Sequence, residues 1–522
     1  MPEYLRVFVI IVVIGSIAFG SARAAISEVL IDPEDYKRRR NFWFAITFLA
    51  FLSHSFWLFI FGTLALAYVG GRREHNPLAL YFMMLLAVPG FSQPLPGFGG
   101  INLLFIASHE TMLSLGLLLP AAIHLYRSGE GADRSLRVLD QLVLCYAAWV
   151  AFRHYSDGGI TEGVRAGFYQ LVDLILPYYV ASRFFRSMRQ FQDTMTTFVI
   201  VVVVAGAIAA FEAWRGWLLY TELRYPLGLP QPSYIVYLQR GSLGLMRAQS
   251  SLNHPIVVGY VMMLGIGMLT MLSKHVNSRL VYNLALASIG GGLIGALSRG
   301  PWLGAAVMLM MIVALDPSVG RRVSRTVTAA LVVMVVLFAT PLGSTVIDLL
   351  PWVGTVEAEN VDYRTRLFEV SMDVMALNLW QGDLGYLENP MMEEMRQGQG
   401  IIDVTNSYLE IALPYGLIGL ILFVLPFVIC IQRLRRALRT ARSIDADSER
   451  LGRTLLAMIF GVLATIATVS GIGVIPELYW VLIGMSASFV IYAERLTKEA
   501  GEEGEKAAVP AGRSGRRLSE GY

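Results

Sequence analysis

Charge is scarce in this chain, and so are the residues that usually carry metal or thiol chemistry. Asp, Glu, Lys and Arg make up 16% of 522 residues, while 55% are hydrophobic. Soluble domains usually carry about a quarter charged residues, so an ordinary soluble fold is excluded. The two cysteines, Cys145 and Cys430, lie in apolar segments and give no disulfide framework. The seven histidines are scattered without an HExxH or paired arrangement, so no metal site is expected. No Gly-rich loop ending in Lys-Ser or Lys-Thr occurs, which removes the usual nucleotide cradle. No cofactor is expected. Net charge is only +3, and no nucleic-acid partner is expected. The first apolar segment has no strongly basic flank before it and no clean small-x-small site after it, so it reads as a retained helix.

What the chain has instead is long apolar runs, such as FVIVVVVAGAIAAF at 198–211 and AALVVMVVLFATPLG at 329–343. Their lengths, roughly 17 to 25 residues, suit a helix crossing about 30 Å of hydrocarbon. They do not alternate as barrel strands would. An all-α, polytopic bundle of about 14–15 spans is predicted, each span long enough to cross the bilayer. Predicted spans include 40–53, 55–70, 77–91, 104–126 and 325–343, and the transmembrane domain covers 1–493. From 494 to 522 the chain is rich in Gly, Glu, Lys and Arg and is expected to be a disordered cytoplasmic tail.

Charge placement sets sidedness, because short cytoplasmic loops carry the excess Lys and Arg. Lys37-Arg38-Arg39-Arg40, Arg72-Arg73, Arg183 to Arg189, Arg321 to Arg325 and Arg433 to Arg442 share one side only if 40–70 crosses twice, turning at Ser53-His54-Ser55. Two long segments, 215–254 and 344–410, then face the other side. Loops of such length are usually functional or disordered.

Those two segments hold Arg215, Arg224, Arg240, Arg247, Arg364 and Arg366, with Arg299 close to the same surface. Positive-inside bias makes arginines less expected there, and their planar forks suit phosphate oxygens. Each has an alternative reading as the partner of a loop carboxylate. Arg299 sits in Ser298-Arg299-Gly300-Pro301-Trp302, either a capping turn with a snorkelling arginine or part of a site. His254 precedes Pro255 at a helix start and is a candidate base or an interfacial hydrogen-bonding residue. Arg366 and Glu369 are i,i+3 neighbours and pair locally if 362–369 is helical, which leaves Arg364 for ligand contact. Asp403, Asn406, Tyr408 and Glu410 precede the span 411–431, and either cap it or line a cavity mouth.

Arg247 through His254-Pro255, Ser298-Arg299-Gly300, Tyr363-Arg364-x-Arg366-Leu367, and Asn406-x-Tyr408-Leu409 followed by Tyr415-Gly416-Leu417-Ile418-Gly419-Leu420 together resemble the O-antigen ligase and polymerase superfamily of bacterial membrane glycosyltransferases. The resemblance covers roughly 215–431. It implies transfer of a glycan from an undecaprenyl-diphosphate carrier at the periplasmic face of the inner membrane, without nucleotide sugar or metal. It also implies membrane lipids and a chain-length regulator protein as partners. Ligases of the family carry a His-x-His-Asn-like motif before the late span. This chain has Asp403-Val-Thr-Asn406 there, which favours a repeat-unit polymerase over a lipid A-core ligase.

On that reading Arg364 and Arg247, joined by Arg215, stabilise the leaving diphosphate, and Asp403, His254 or Glu369 takes the acceptor's proton. Arg215, Arg224, Arg240, Arg299, Arg366, Glu369, Asn406 and Tyr408 complete the expected substrate-binding set. A flippase or transporter for an anionic lipid, and a non-enzymatic assembly scaffold, are the competing expectations.

Overall fold

The computed structural model describes residues 1–26, 30–97, 99, 102–129, 133–230, 239–240, 245–316, 358–396, 400–441 and 445–508, with the backbone alone at 239–240, 358–362 and 500–508. The expected span 325–343 and the opening stretch of the long second loop, 344–357, lie outside the described residues.

The chain is a bundle of apolar helices. The long ones are α1 (Glu3–Ala25), α2 (Pro33–Leu52), α3 (Phe56–Gly71), α4 (Pro77–Leu85), α5 (His109–Leu113), α6 (Leu119–Arg127), α7 (Arg137–Tyr169), α8 (Leu176–Phe184) and α9 (Met188–Arg215), counting the shorter pieces between them. They are followed by α10 (Pro255–Leu272), α11 (Arg279–Gly295), α12 (Arg299–Ala314), α13 (Ala358–Leu377), α14 (Pro390–Glu393), α15 (Ser407–Ala441), α16 (Ala446–Ile466) and α17 (Ile475–Ala508). Among the described residues, six helical stretches are long and apolar enough to cross a membrane. The helices α9, α10 and α17 are the most enclosed of these, whereas α1 leaves Val9, Val13 and Ile17 bare. An apolar helix face left uncovered in this way matches a lipid surround.

The hairpin inferred from charge at 40–70 is present. Helix α2 stops at Leu52, His54 takes a left-handed φ of 50°, and α3 starts at Phe56. Two other spans depart from expectation. The 77–91 run is helical only to Leu85, because Pro89 and Gly90 follow. The 104–126 run begins as strand β2 (Leu103–Ser108), paired antiparallel with β1 (Ser92–Pro96), and becomes helical only where Ser108 accepts the Thr111 N–H at 3.2 Å. A small β-hairpin thus interrupts the helical fold, and among the described residues a shorter strand pair, Gln239–Arg240 with Leu245–Met246, lies in the first long loop. The segment expected as a tail from 494 starts as helix, since α17 runs on to Ala508; Glu, Lys and Ala there are good helix formers.

The two ends of the bundle differ. At one end Arg39, 1% exposed, meets Glu74 at 2.8 Å and Asp193 at 2.5 Å, while Asn76 donates to Asp193 and caps α4. Arg183 pairs with Asp140 at 2.6 Å, and His275 meets Asp447 at 3.2 Å, at that same end. These are the loops in which the basic residues cluster.

At the opposite end, glycines fold helices back. In α7, Gly159 has φ 78°, and Gly163 then lies against Tyr155 and Ala151 of the preceding arm. In α15, Gly416 has φ 67° and ψ −170°, a region open essentially to glycine alone. The arm before it doubles back, so the rings of Tyr408 and Phe423 come within 6.3 Å. Segment 379–383 docks in that break: Leu417 N–H donates to Leu379 O at 2.8 Å, Ile418 N–H to Trp380 O at 3.3 Å, and Asp383 N–H to Leu413 O at 2.8 Å. Trp149 and Arg153 of α7 brace it, donating to Tyr415 O at 2.9 Å and Gly382 O at 3.2 Å.

A Cβ on Gly416 would lie 2.3 Å from Trp380 O. Gly416→Ala is therefore expected to cost about 1–3 kcal/mol from the backbone conformation alone, with the clash adding to it. A lowered thermal unfolding midpoint of the purified full chain in detergent checks this, and an unchanged midpoint refutes the docking described.

Candidate functional site

The second end is built around a carboxylate. Glu212, 0% exposed, lies one turn before α9 ends at the left-handed Gly216. Its Oε1 accepts the Leu219 N–H at 2.9 Å, and its Oε2 accepts Gln249 N–H at 2.9 Å and Ser250 N–H at 2.7 Å. A single side chain thus fixes the start and the finish of the first long loop. Ser251 Oγ donates to Leu86 O at 2.6 Å and Tyr220 to Ala87 O at 3.0 Å, satisfying carbonyls that the early end of α4 leaves open.

Held this way, the 245–254 stretch runs along the break between α11 and α12. Ala248 N–H donates to Gly295 O at 2.9 Å, and Arg247 Nε donates to Ala296 O at 3.3 Å. Arg247, 8% exposed, is thereby placed beside Ser298-Arg299-Gly300. Gly300 packs in turn on the loop between α16 and α17, where a Cβ would meet Thr468 Oγ1 at 2.5 Å.

That same loop organises the second half of the site. Ser470 Oγ lies 3.2 Å from Asp403 Oδ1 and 2.9 Å from Val404 O. Ser407 Oγ donates to Val469 O at 2.7 Å, and Gly471 N–H donates to Glu410 at 2.6 Å. Tyr363 reaches the Asp403 carbonyl at 3.3 Å, which brings the neighbouring Arg364, itself exposed, within electrostatic reach of the Asp403 carboxylate. Gly473 against Val257 closes the circuit back to the first turn of α10. Sequence-distant Arg247, His254, Arg299, Arg364, Asp403 and Asn406 therefore share one end and one ring of loops.

Three groups in the ring titrate away from their ordinary values, and burial, the largest cause, pushes the Glu410 carboxyl up, with Asp403 adding to it. Burial pushes the Asp403 carboxyl up, more than the Ser470 hydrogen bond and Arg364 pull it down. The arginine, expected to depress it, is outweighed by desolvation. Burial pushes His254 down to about 4, with Arg247 adding to the effect. His254 also caps α10, its Nδ1 accepting the Ile256 N–H at 3.3 Å. With that lone pair engaged, the neutral ring carries its proton on Nε2 and has no second acceptor to serve as a base. The geometry assigns His254 to capping and leaves Asp403 and Glu410 as ring carboxylates with elevated pKa, Asp403 being the one with Arg364 within electrostatic reach.

Asn406 is a helix cap as well, its Oδ1 accepting Tyr408 N–H at 2.9 Å, while the Tyr408 hydroxyl donates to Leu463 O at 3.2 Å. Arg366 pairs with Glu369 at 3.2 Å, as the i,i+3 spacing predicts, and with Glu394 at 2.8 Å; all three are exposed and bind one another. Arg224 donates to Pro230 O at 3.1 Å and lies over the Phe91 ring. Arg215 lies over Trp214, which is 78% exposed, an arrangement typical of an interfacial anchor. Arg240 contributes backbone to a two-residue strand, and its side chain is outside the description. Among the described residues no group of three His, Cys, Asp or Glu side chains gathers as a metal site.

Sequence reading passed over Glu212 and the 468–471 loop, and took Glu410 only as part of the stretch that caps the late span or lines a cavity mouth. The signal was present: a carboxylate inside an apolar run needs a partner, and both glutamates hold backbone N–H groups.

Glu212→Ala removes the acceptor for three buried N–H groups, each costing about 1–3 kcal/mol when left unmet. Amide exchange at Gln249 and Ser250 is expected to accelerate well beyond that of α10, and unchanged protection there would show that the loop is held otherwise. For His254 the folded pKa lies below the unfolded one, so the unfolded state binds more protons between about pH 4 and 6.5 and stability rises with pH across that window. His254→Gln should flatten that part of the stability profile.

No curated protein matches the chain at a significant level. Residues 284–424 match the family model described as O-antigen ligase, a stretch containing Arg299, Arg364, Asp403 and Asn406 and ending beyond the Gly416 break. The match covers well under half of the chain and supports, for this stretch, similarity to the O-antigen ligase and polymerase superfamily, whose members are membrane glycosyltransferase-like enzymes.

Proposed function

We propose that this protein joins undecaprenyl-diphosphate-linked oligosaccharide repeat units into a longer exopolysaccharide or O-antigen chain at the periplasmic face of the bacterial inner membrane. The observation that carries the reading is the loop ring that brings Arg247, Arg299 and Asp403 to one end, with Tyr363 on the Asp403 carbonyl and Arg364 next to it in the chain. Arginine forks suit a diphosphate, and a carboxyl with a raised pKa suits proton transfer near neutral pH.

On this reading the acceptor hydroxyl oxygen bonds to the anomeric carbon of the donor sugar. The bond from that carbon to the diphosphate oxygen breaks, and its electron pair stays on the leaving diphosphate. Arg247, Arg299 and Arg364 stabilise the charge that develops there. Asp403 takes the acceptor's proton. The charge change needs no metal ion in this scheme, and the donor brings its own leaving group, so no nucleotide sugar enters. Membrane lipids surround the bundle, and a chain-length regulator is a partner suited to such a polymerase. The ligase reading is weaker, because Asp403-Val-Thr-Asn406 stands where a ligase-like histidine motif is expected.

Incubating the purified full chain with defined undecaprenyl-diphosphate repeat units, then sizing products on gels, tests the proposal. Arg364→Ala should abolish elongation while membrane insertion persists; normal product length from that variant would sink the assignment. Elongation by the wild type should rise with pH as Asp403 ionises, through a range above the ordinary carboxylate value. Asp403→Asn should lose that rise along with most of the rate.

A further inference from the structure

Helix α13 buries one face and leaves the rest bare. Leu367, Val370 and Val374 close on Leu409 and Leu413 of the short arm before Gly416, with Met392, Met395 and Val404 completing this small core. The exposed remainder is divided by chemistry. Phe368, Met372 and Ala376 recur at a spacing of four and so share one flank. Arg364 stands one turn before them at the same spacing. Glu369 and Asp373 share the other flank with Arg366, which pairs with Glu369 at 3.2 Å. Apart from the terminal Leu377, the exposed residues described on that second flank are charged. Apolar on one side and charged on the other, the bare surface has the pattern of a helix lying in a membrane interface.

The packing sets the depth of the apolar flank. The arm before Gly416 runs back along the first turns of the α15 span. The Tyr408 ring lies 6.3 Å from that of Phe423, which is about 10 Å down the helix from the break. Because α13 packs on this arm, it is level with the entry of α15 into the bilayer rather than above it. The chain just after α13 is tied to the same turns, Leu417 and Ile418 N–H donating to the Leu379 and Trp380 carbonyls at 2.8 and 3.3 Å. Trp380 is 61% exposed and Phe368 52%, large apolar surfaces that water does not favour. Ile421, one turn on from Ile418, is bare too, as is Phe152 of α7, the helix whose Trp149 braces the break. The apolar flank of α13 therefore continues into the bare faces of two spans.

We propose that the Phe368–Met372 flank of α13, together with Trp380, seats in the lipid of the leaflet at the site end, making the second loop an interfacial element instead of a water-exposed cap. A bare helix face is convex, which suits the tails of many lipids better than the enclosed seat of one, and an exposed tryptophan beside it is the usual marker of this depth. Arg364, on the edge of the same flank, is thereby carried at the level of the lipid phosphates. On the glycan-transfer reading, that is the level at which a lipid-linked diphosphate arrives. The seat itself rests only on the bundle spanning a membrane.

Spin labels on the full chain in nanodiscs test this. With Cys145→Ala and Cys430→Ala in place, a label is attached through Phe368→Cys, Met372→Cys or Trp380→Cys, and through Glu369→Cys or Asp373→Cys as the charged-flank reference. Collision with oxygen, which concentrates in hydrocarbon, is compared with collision with a water-soluble nickel chelate. Labels at 368, 372 and 380 should favour oxygen severalfold over those at 369 and 373. An equal balance on both flanks overturns the seat. So does exclusion of both reagents at 368 and 372, which would mean that protein covers the flank. Oxygen access that appears only after undecaprenyl diphosphate is added assigns the flank to the carrier's own chain and also overturns it. If the cysteine-free chain does not fold, Trp380→Phe in the native sequence decides the matter. It should remove part of the tryptophan fluorescence that lipids brominated near the headgroup quench, and quenching unchanged by the substitution overturns the proposal. None of these readouts needs elongation, so a protein that never joins repeat units leaves the seat standing and removes the polymerase reading alone.

Discussion

A chain buried in hydrocarbon must pair every backbone N–H and C=O within itself, and the site end of this protein is shaped by that demand. Helices there stop short or fold back, exposing groups that a continuous helix would satisfy. Side chains and neighbouring backbone take up each one in turn. Glu212 collects three N–H groups, Ser251 and Tyr220 cover two carbonyls after α4, and segment 379–383 pairs with the broken α15. The polar ring that results is less a set of residues placed on a scaffold than the way the scaffold itself closes.

Much of this was legible in the sequence, for identifiable reasons. The hairpin at 40–70 followed from charge bias, a property summed over several loops and so insensitive to local detail. The Arg366–Glu369 pair followed from helical spacing, and the capping by Asn406 from its place ahead of an apolar run. What escaped depended on tertiary partners. Pro89 and Gly90 are a local signal that 77–91 cannot run on as helix, but the carbonyls so exposed are met by Ser251 and Tyr220, far along the chain. His254 looked like a base by residue type, and only the Ile256 N–H on its Nδ1 gives it a different task. Glu212 was obscured by the hydrophobicity of its own segment.

The electrostatic arrangement also separates two kinds of arginine that sequence alone treats alike. Arg366 is satisfied by exposed glutamates, and Arg215 leans on a bare tryptophan at the rim. Arg247, Arg299 and Arg364 belong instead to the loops that converge on Asp403. Because desolvation governs Asp403 more than Arg364 does, enclosure of this end, rather than the count of nearby cations, sets how readily it takes a proton.

Gly382 and Gly416 touch backbone to backbone, each with a left-handed φ and each closer to the other's strand than any side chain permits. Most tight contacts in a protein can drift over generations, one partner shrinking as the other grows. Here both partners are already the smallest residue, so no exchange of volume between them is available. The joint that seats the second loop on the broken helix is consequently a place where sequence change has no neighbouring route of repair, and relatives that differ there must build the join by another path of the chain.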